Sequence, residues 1–140
     1  RNNQRLGKGG SLKKGFAYAL EKKFEVIILL DGDGEHNPLC IPLFLEKIRS
    51  NDIIMGQREE YRSLKRNILN KWAAWWLKII IPEIKDTQCG FIALKLDLLK
   101  RLDIISDDFS IDLELMLESI KQKAKISFLR IGLIFKKITT

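Results

Sequence analysis

The chain has 140 residues, 46% of them hydrophobic and 31% charged, which excludes a disordered chain and fits one globular domain able to bury roughly 68% of its unfolded surface. The 25 Lys and Arg against 18 Asp and Glu give a net charge of +7, which favours anionic partners such as nucleoside diphosphates, nucleic acid or acidic lipid headgroups without choosing among them. Two cysteines without CxxC spacing and a lone histidine exclude a disulfide framework and a His-rich metal site. Residue 1 is Arg, and no charged-then-apolar leader follows it, so an excised fragment without a signal peptide is expected.

Gly7-Lys8-Gly9-Gly10 opens as a loop, and Leu12, Phe16, Ala19 and Leu20 then recur at helical spacing to about residue 23. Residues 25–30 are a short apolar run, read as a strand buried on both faces. Asn37 and Pro38 suit a helix N-terminus, and Ile41, Leu45 and Ile48 carry that helix to about residue 50. Residues 52–55 form a second strand closed by Gly56, and the polar stretch 57–63 is a loop. A helix over 64–80 carries Trp72, Trp75 and Trp76 and stops at Pro82. Its apolar run is shorter than the ~20 residues needed to span a bilayer, although tryptophan favours membrane interfaces. Residues 86–90 turn into a third strand, 91–94. A helix follows over 110–122, with Ile111, Leu115 and Leu117 among its apolar positions, and then a strand over 125–131. The alternation of helix and strand points to an α/β architecture.

The densest chemistry is Asp31-Gly32-Asp33-Gly34-Glu35. Ligand crevices of open α/β sheets lie beyond the carboxyl ends of strands, where this turn falls. Crowded carboxylates repel one another unless a cation gathers there, and oxygen donors suit magnesium or manganese. Asp31, Asp33 and Glu35 are therefore the candidate metal ligands, the metal bridging two phosphates and neutralising a departing diphosphate. A solvated Asp/Gly turn is the plain alternative. A haloacid-dehalogenase-type phosphatase with Asp31 as nucleophile is a second, and a basic module for nucleic acid or membrane surfaces is a third.

Arg58 follows the second strand and suits bidentate pairing with a phosphate. Arg62, Lys65 and Arg66 would support an anionic leaving group and acceptor. Asp86 or Gln88 would meet sugar hydroxyls or the acceptor. Asp112 and Glu114 sit in the first turn of a helix, where acidic residues complement its dipole; otherwise one of them faces the acceptor.

In chain order, Gly7-Lys8-Gly9-Gly10, Asp31-Gly-Asp-Gly-Glu-His36, Gly56-Gln-Arg58, Asp86-Thr-Gln-Cys-Gly-Phe91 and Phe109-Ser-Ile-Asp-Leu-Glu114 resemble glycosyltransferase family 2, closest to its dolichyl-phosphate glucosyltransferases, mannosyltransferases and bacterial polyprenyl-phosphate relatives. The resemblance implies one partial catalytic domain over 1–140 with the GT-A fold, a Rossmann-like α/β sandwich around a mixed, mostly parallel sheet that lacks its N-terminal strands. It implies an inverting hexosyl transfer from UDP-glucose or GDP-mannose to a polyprenyl phosphate, with Mg or Mn as cofactor. The nucleotide-sugar donor would meet Lys8, Asp31, Asp33 and Arg58, with Asp33 and Arg58 catalytic. The acceptor would meet Arg62, Arg66, Gln88, Asp112 and Glu114. It further implies work at the cytoplasmic face of a membrane, with no nucleic acid partner. The family's opening strand and Pro-x-x-Asn-Glu-like loop have no equivalent before Arg1, so these 140 residues alone are expected to bind nucleotide poorly.

Overall fold

The computed structural model describes residues 6–58, 86 and 89–132. In chain order it has α1 (Gly7–Glu21), β1 (Val26–Leu29), a 3-10 turn (Pro38–Cys40), α2 (Ile41–Ile48), β2 (Ile53–Arg58), β3 (Ile92–Lys95), α3 (Leu96–Leu99), α4 (Ile111–Lys121) and β4 (Ile126–Ile131). The strands form one sheet in the order β1-β3-β2-β4. β3 runs antiparallel to both neighbours, while β2 and β4 are parallel. Three strands therefore share a direction, and the expected mixed α/β sheet is present, although only one of its three neighbouring pairs is parallel.

Alternation along the strands divides the core into two layers. Ile53, Met55, Ile92 and Leu94 face one layer with Phe16 and Ala19 of α1 and Ile111, Leu115 and Met116 of α4. Ile54, Phe91 and Ala93 face the other, against Phe44 and Ile48 of α2. Phe44 and Phe91 stack there at 4.1 Å, and burying each ring contributes on the order of 3 kcal/mol.

The structure corrects several sequence expectations. The helix faces sit one residue away from some expected positions. Ile41, Phe44 and Ile48 make the inner stripe of α2, and Leu45 is exposed. Leu20 and Leu117 likewise point outward, because each lies one or two steps of about 100° past a buried residue. The Gly-rich opening is not a loop but the first turn of α1. A Cβ at Gly9 would run into the backbone of residues 106 and 107, so the glycine lets helix and loop touch. Gly56 does not close β2, which continues to Arg58. A Cβ there would lie 2.9 Å from Cys89 Sγ and 3.0 Å from the Phe91 carbonyl oxygen, so the glycine fits a crowded strand interior. β1 is an edge strand, and Val26, Ile27 and Ile28 are only half-buried. The short helix α3 had no signal in the sequence. Lys23 and Lys123, both at positive φ, end α1 and α4. At each end the following amide reaches back into the helix, Phe24 N–H to Ala19 O and Ala124 N–H to Ser119 O, the Schellman arrangement in which glycine is usual.

Candidate active site at the carboxyl edge of the sheet

β1 and β2 end on one edge of the sheet, and β3 begins there. Asp31, Arg58 and Gly90 are thus delivered to one side by neighbouring strands. α1 and α4 add Lys8 and Asp112 from their first turns.

The Lys8 ammonium lies 2.6 Å from Asp31 Oδ1 and 2.5 Å from Asp112 Oδ2. Residues 8, 31 and 112 are far apart in sequence, and both carboxylates converge on one nitrogen. Their side chains are 15%, 21% and 7% exposed respectively, so the charges are poorly screened. Burial alone would lower the Lys8 ammonium pKa, but the hydrogen bonds it donates to Asp112 and Asp31, with their charges, outweigh burial and raise the value. Burial raises the Asp112 carboxyl pKa, and the Lys8 contact only partly offsets it. Asp112 Oδ1 is buried with no hydrogen-bond partner among the described residues. Such an atom is costly unless something else completes it.

Asp31 is held from behind. A Cβ at Gly90 would meet its carboxyl carbon at 2.5 Å, so only glycine leaves room for the side chain. The Asp31 N–H donates to His36 Nδ1 at 3.4 Å. That bond needs His36 unprotonated at Nδ1, and burial lowers the His36 pKa towards the neutral form. Its Nε2 lies 3.8 Å from Cys89 Sγ, and its ring packs on Phe91. The Cys89 thiol is pushed up to about 12, chiefly by burial, and so stays neutral. Sequence reasoning left His36 and Gly90 out of the site. Their signal was their place in two of the motifs that carry the family resemblance, just after the acidic turn and just before the third strand.

Asp33 is exposed, and its Oδ1 accepts the Glu35 N–H at 3.0 Å. Gly34, at φ +76, lets the turn close. No group of three or more His, Cys, Asp or Glu among the described residues converges on one metal position. The expected trio Asp31, Asp33 and Glu35 is therefore not gathered. What is gathered is Asp31 with Asp112, around a cation the protein supplies itself. Hard oxygen donors and an incomplete Asp112 carboxylate fit a divalent metal.

Arg58 has a different partner from the phosphate expected for it. Its Nε and Nη2 donate to Asp86 Oδ2 at 2.6 Å and Oδ1 at 3.0 Å, and the two side chains are 3% and 0% exposed. The pair closes the end of β2 onto the turn before β3. Glu114 accepts the Ile105 and Ser106 N–H groups, each at 3.0 Å. Burial opposes its ionisation slightly, and these bonds outweigh it, holding the carboxyl below its usual range. Arg62, Lys65, Arg66, Gln88 and the three tryptophans lie outside the described residues.

Residues 1–95 match the family described as Glycosyl transferase family 2. An uncharacterised protein of Methanocaldococcus jannaschii is 32% identical over 137 residues, covering 90% of this chain and 59% of that protein. The undecaprenyl-phosphate mannosyltransferase of Micrococcus luteus is 29% identical over 105 residues, covering 70% of this chain and 43% of the enzyme. The chain thus spans about half the length of these relatives. The crystal structure of glucosyl-3-phosphoglycerate synthase from Mycobacterium tuberculosis with Mn2+ and UDP-glucose superposes at a TM-score of 0.74 and 16% identity, covering 97% of this chain and 49% of that one.

Proposed function

Because the chain belongs to glycosyl transferase family 2 and has the GT-A fold, we propose that residues 1–140 are part of the catalytic domain of an inverting enzyme. It would move a hexose from a nucleoside-diphosphate sugar, of the UDP-glucose or GDP-mannose type, to a polyprenyl phosphate. Membership of the family sets aside the phosphatase and the basic binding module as readings.

The observation that carries the proposal is the convergence of Asp31 and Asp112 on one cation at the carboxyl edge of the sheet. Asp31 would hold a divalent metal, Mg or Mn, with Asp112 facing it from α4 and Asp33 on the same turn as a further donor; when bound, the metal neutralises the diphosphate of the leaving group. Glu35 adds a further carboxylate beside them. Lys8 adds positive charge where that diphosphate would lie. An acceptor phosphate is already ionised and needs little help from a general base, so Asp112 and Glu114 serve position rather than proton removal. Asp112 holds Lys8, and Glu114 holds the 105–106 backbone. Ile105 and Phe109, 74% and 81% exposed, give the same rim an apolar face that suits a lipid-borne acceptor at a cytoplasmic membrane face. In this reading the Arg58–Asp86 pair orients the end of β2.

The test is hexose transfer by the full-length protein in the presence of manganese, with UDP-glucose and GDP-mannose compared on a polyprenyl phosphate. Asp31→Asn is expected to lower the rate by roughly 10² to 10³ while leaving the circular dichroism unchanged. Full activity after chelation of divalent ions, or no transfer to any lipid phosphate, refutes the proposal.

A further inference from the structure

We infer that Lys8 and a divalent cation are alternative occupants of one position between Asp31 and Asp112, Lys8 holding the two carboxylates together until the cation displaces its ammonium group. The inference rests on the proposed function and deepens it, since it says how the two carboxylates are held together before the metal binds.

Four observations carry it. Both carboxylates are already drawn to a single point by short contacts to the same nitrogen. One ammonium leaves this pair a net charge of −1, so a doubly charged ion neutralises the pair more completely. Asp112 Oδ1 has no hydrogen-bond partner among the described residues although the side chain is over nine-tenths buried; Lys8 satisfies only half of that carboxylate, and a ligand with more coordination positions would take the rest. Asp31 packs directly over Gly90, which keeps its carboxylate beside the position that the Lys8 ammonium occupies.

Lys8 has the means to leave. Gly7 and Gly9 fix its helix against residues 106 and 107, and the Gly10 N–H donates to the Asp107 carbonyl, so the backbone stays in place. The four-carbon stem is free to swing. The Phe109 ring already lies 5.9 Å from the Lys8 ammonium, and its exposed face can receive the released charge.

The probe is Mn2+ alone, titrated into the full chain and followed by electron paramagnetic resonance, with and without a nucleoside diphosphate. Lys8→Met is expected to bind Mn2+ without nucleotide at least about tenfold more tightly than the wild type, because the competing charge is gone. Unchanged or weaker binding overturns the inference. A second measurement needs no variant: in the wild type, the 15N resonance of the Lys8 ammonium, shielded by two carboxylates, should shift and lose its protection as Mg2+ binds. A signal unmoved at Mg2+ saturation overturns the inference alone. If neither form takes up Mn2+ even with nucleoside diphosphate present, the metal-dependent reading of the enzyme falls as well.

Discussion

Two charge clusters lie on the same edge of the sheet and are built to opposite ends. The Arg58–Asp86 pair is dry and closed: two parallel hydrogen bonds join a planar fork to both carboxylate oxygens. The Lys8–Asp31–Asp112 cluster is half-buried and open, with two acids, one base and an unsatisfied oxygen. A pair whose valences are filled offers a ligand nothing and serves to hold strands together. A cluster with an acid in excess and an unpartnered carboxylate oxygen among the described residues still has capacity for a cation. Burial and completeness, more than charge, separate scaffold from site here.

The largest expected effect comes from breaking the closed pair. Asp86→Ala leaves Arg58 charged and buried, and should destabilise the fold by about 3–5 kcal/mol in denaturant titration. A loss under ~1 kcal/mol would show that water reaches Arg58 and that the contrast with the open cluster is overdrawn. Gly90→Ala comes next. Its methyl group overlaps the Asp31 carboxyl group, and overpacking of this kind costs about 1–3 kcal/mol. It should also lower Mn2+ affinity, whereas Asp86→Ala should act on affinity only through stability. The smallest effect is at Glu114, which holds the 105–106 backbone. Its carboxyl pKa is held below the usual glutamate range, so its contribution is present above that range and disappears as pH falls through the depressed value. Glu114→Gln should cost under ~1 kcal/mol at pH 7, since the group is well solvated. The difference from wild type should vanish in thermal melts carried to strongly acidic pH. A difference that persisted there would mean the 105–106 loop is held by something other than this charge.

The helix and strand pattern was largely legible because it follows from local periodicity. α1, α2, α4 and all four strands were expected near their observed places. Leu20, Leu45 and Leu117 were read as apolar positions of their helices and prove exposed, because neighbouring positions on a helix differ by about 100° and apolar character alone does not choose the face. β1 was read as buried on both faces from its apolar run, and among the described residues it lies at the edge of the sheet and is half-buried. In the site, the acidic turn at Asp31 was legible because three carboxylates in five residues are conspicuous. The meeting of Lys8 with Asp112 was not, since no local pattern links two helix ends 104 residues apart.

By itself the sequence determined an α/β chain of this family with acidic residues at the tip of an apolar strand, because spacing and composition set which elements form and where each ends. Tertiary structure alone decided which acids meet, which arginine is spent inside, and which lysine fills the gap. Those outcomes depend on distances between separate elements, and electrostatic energy responds to distance and burial rather than to order along the chain.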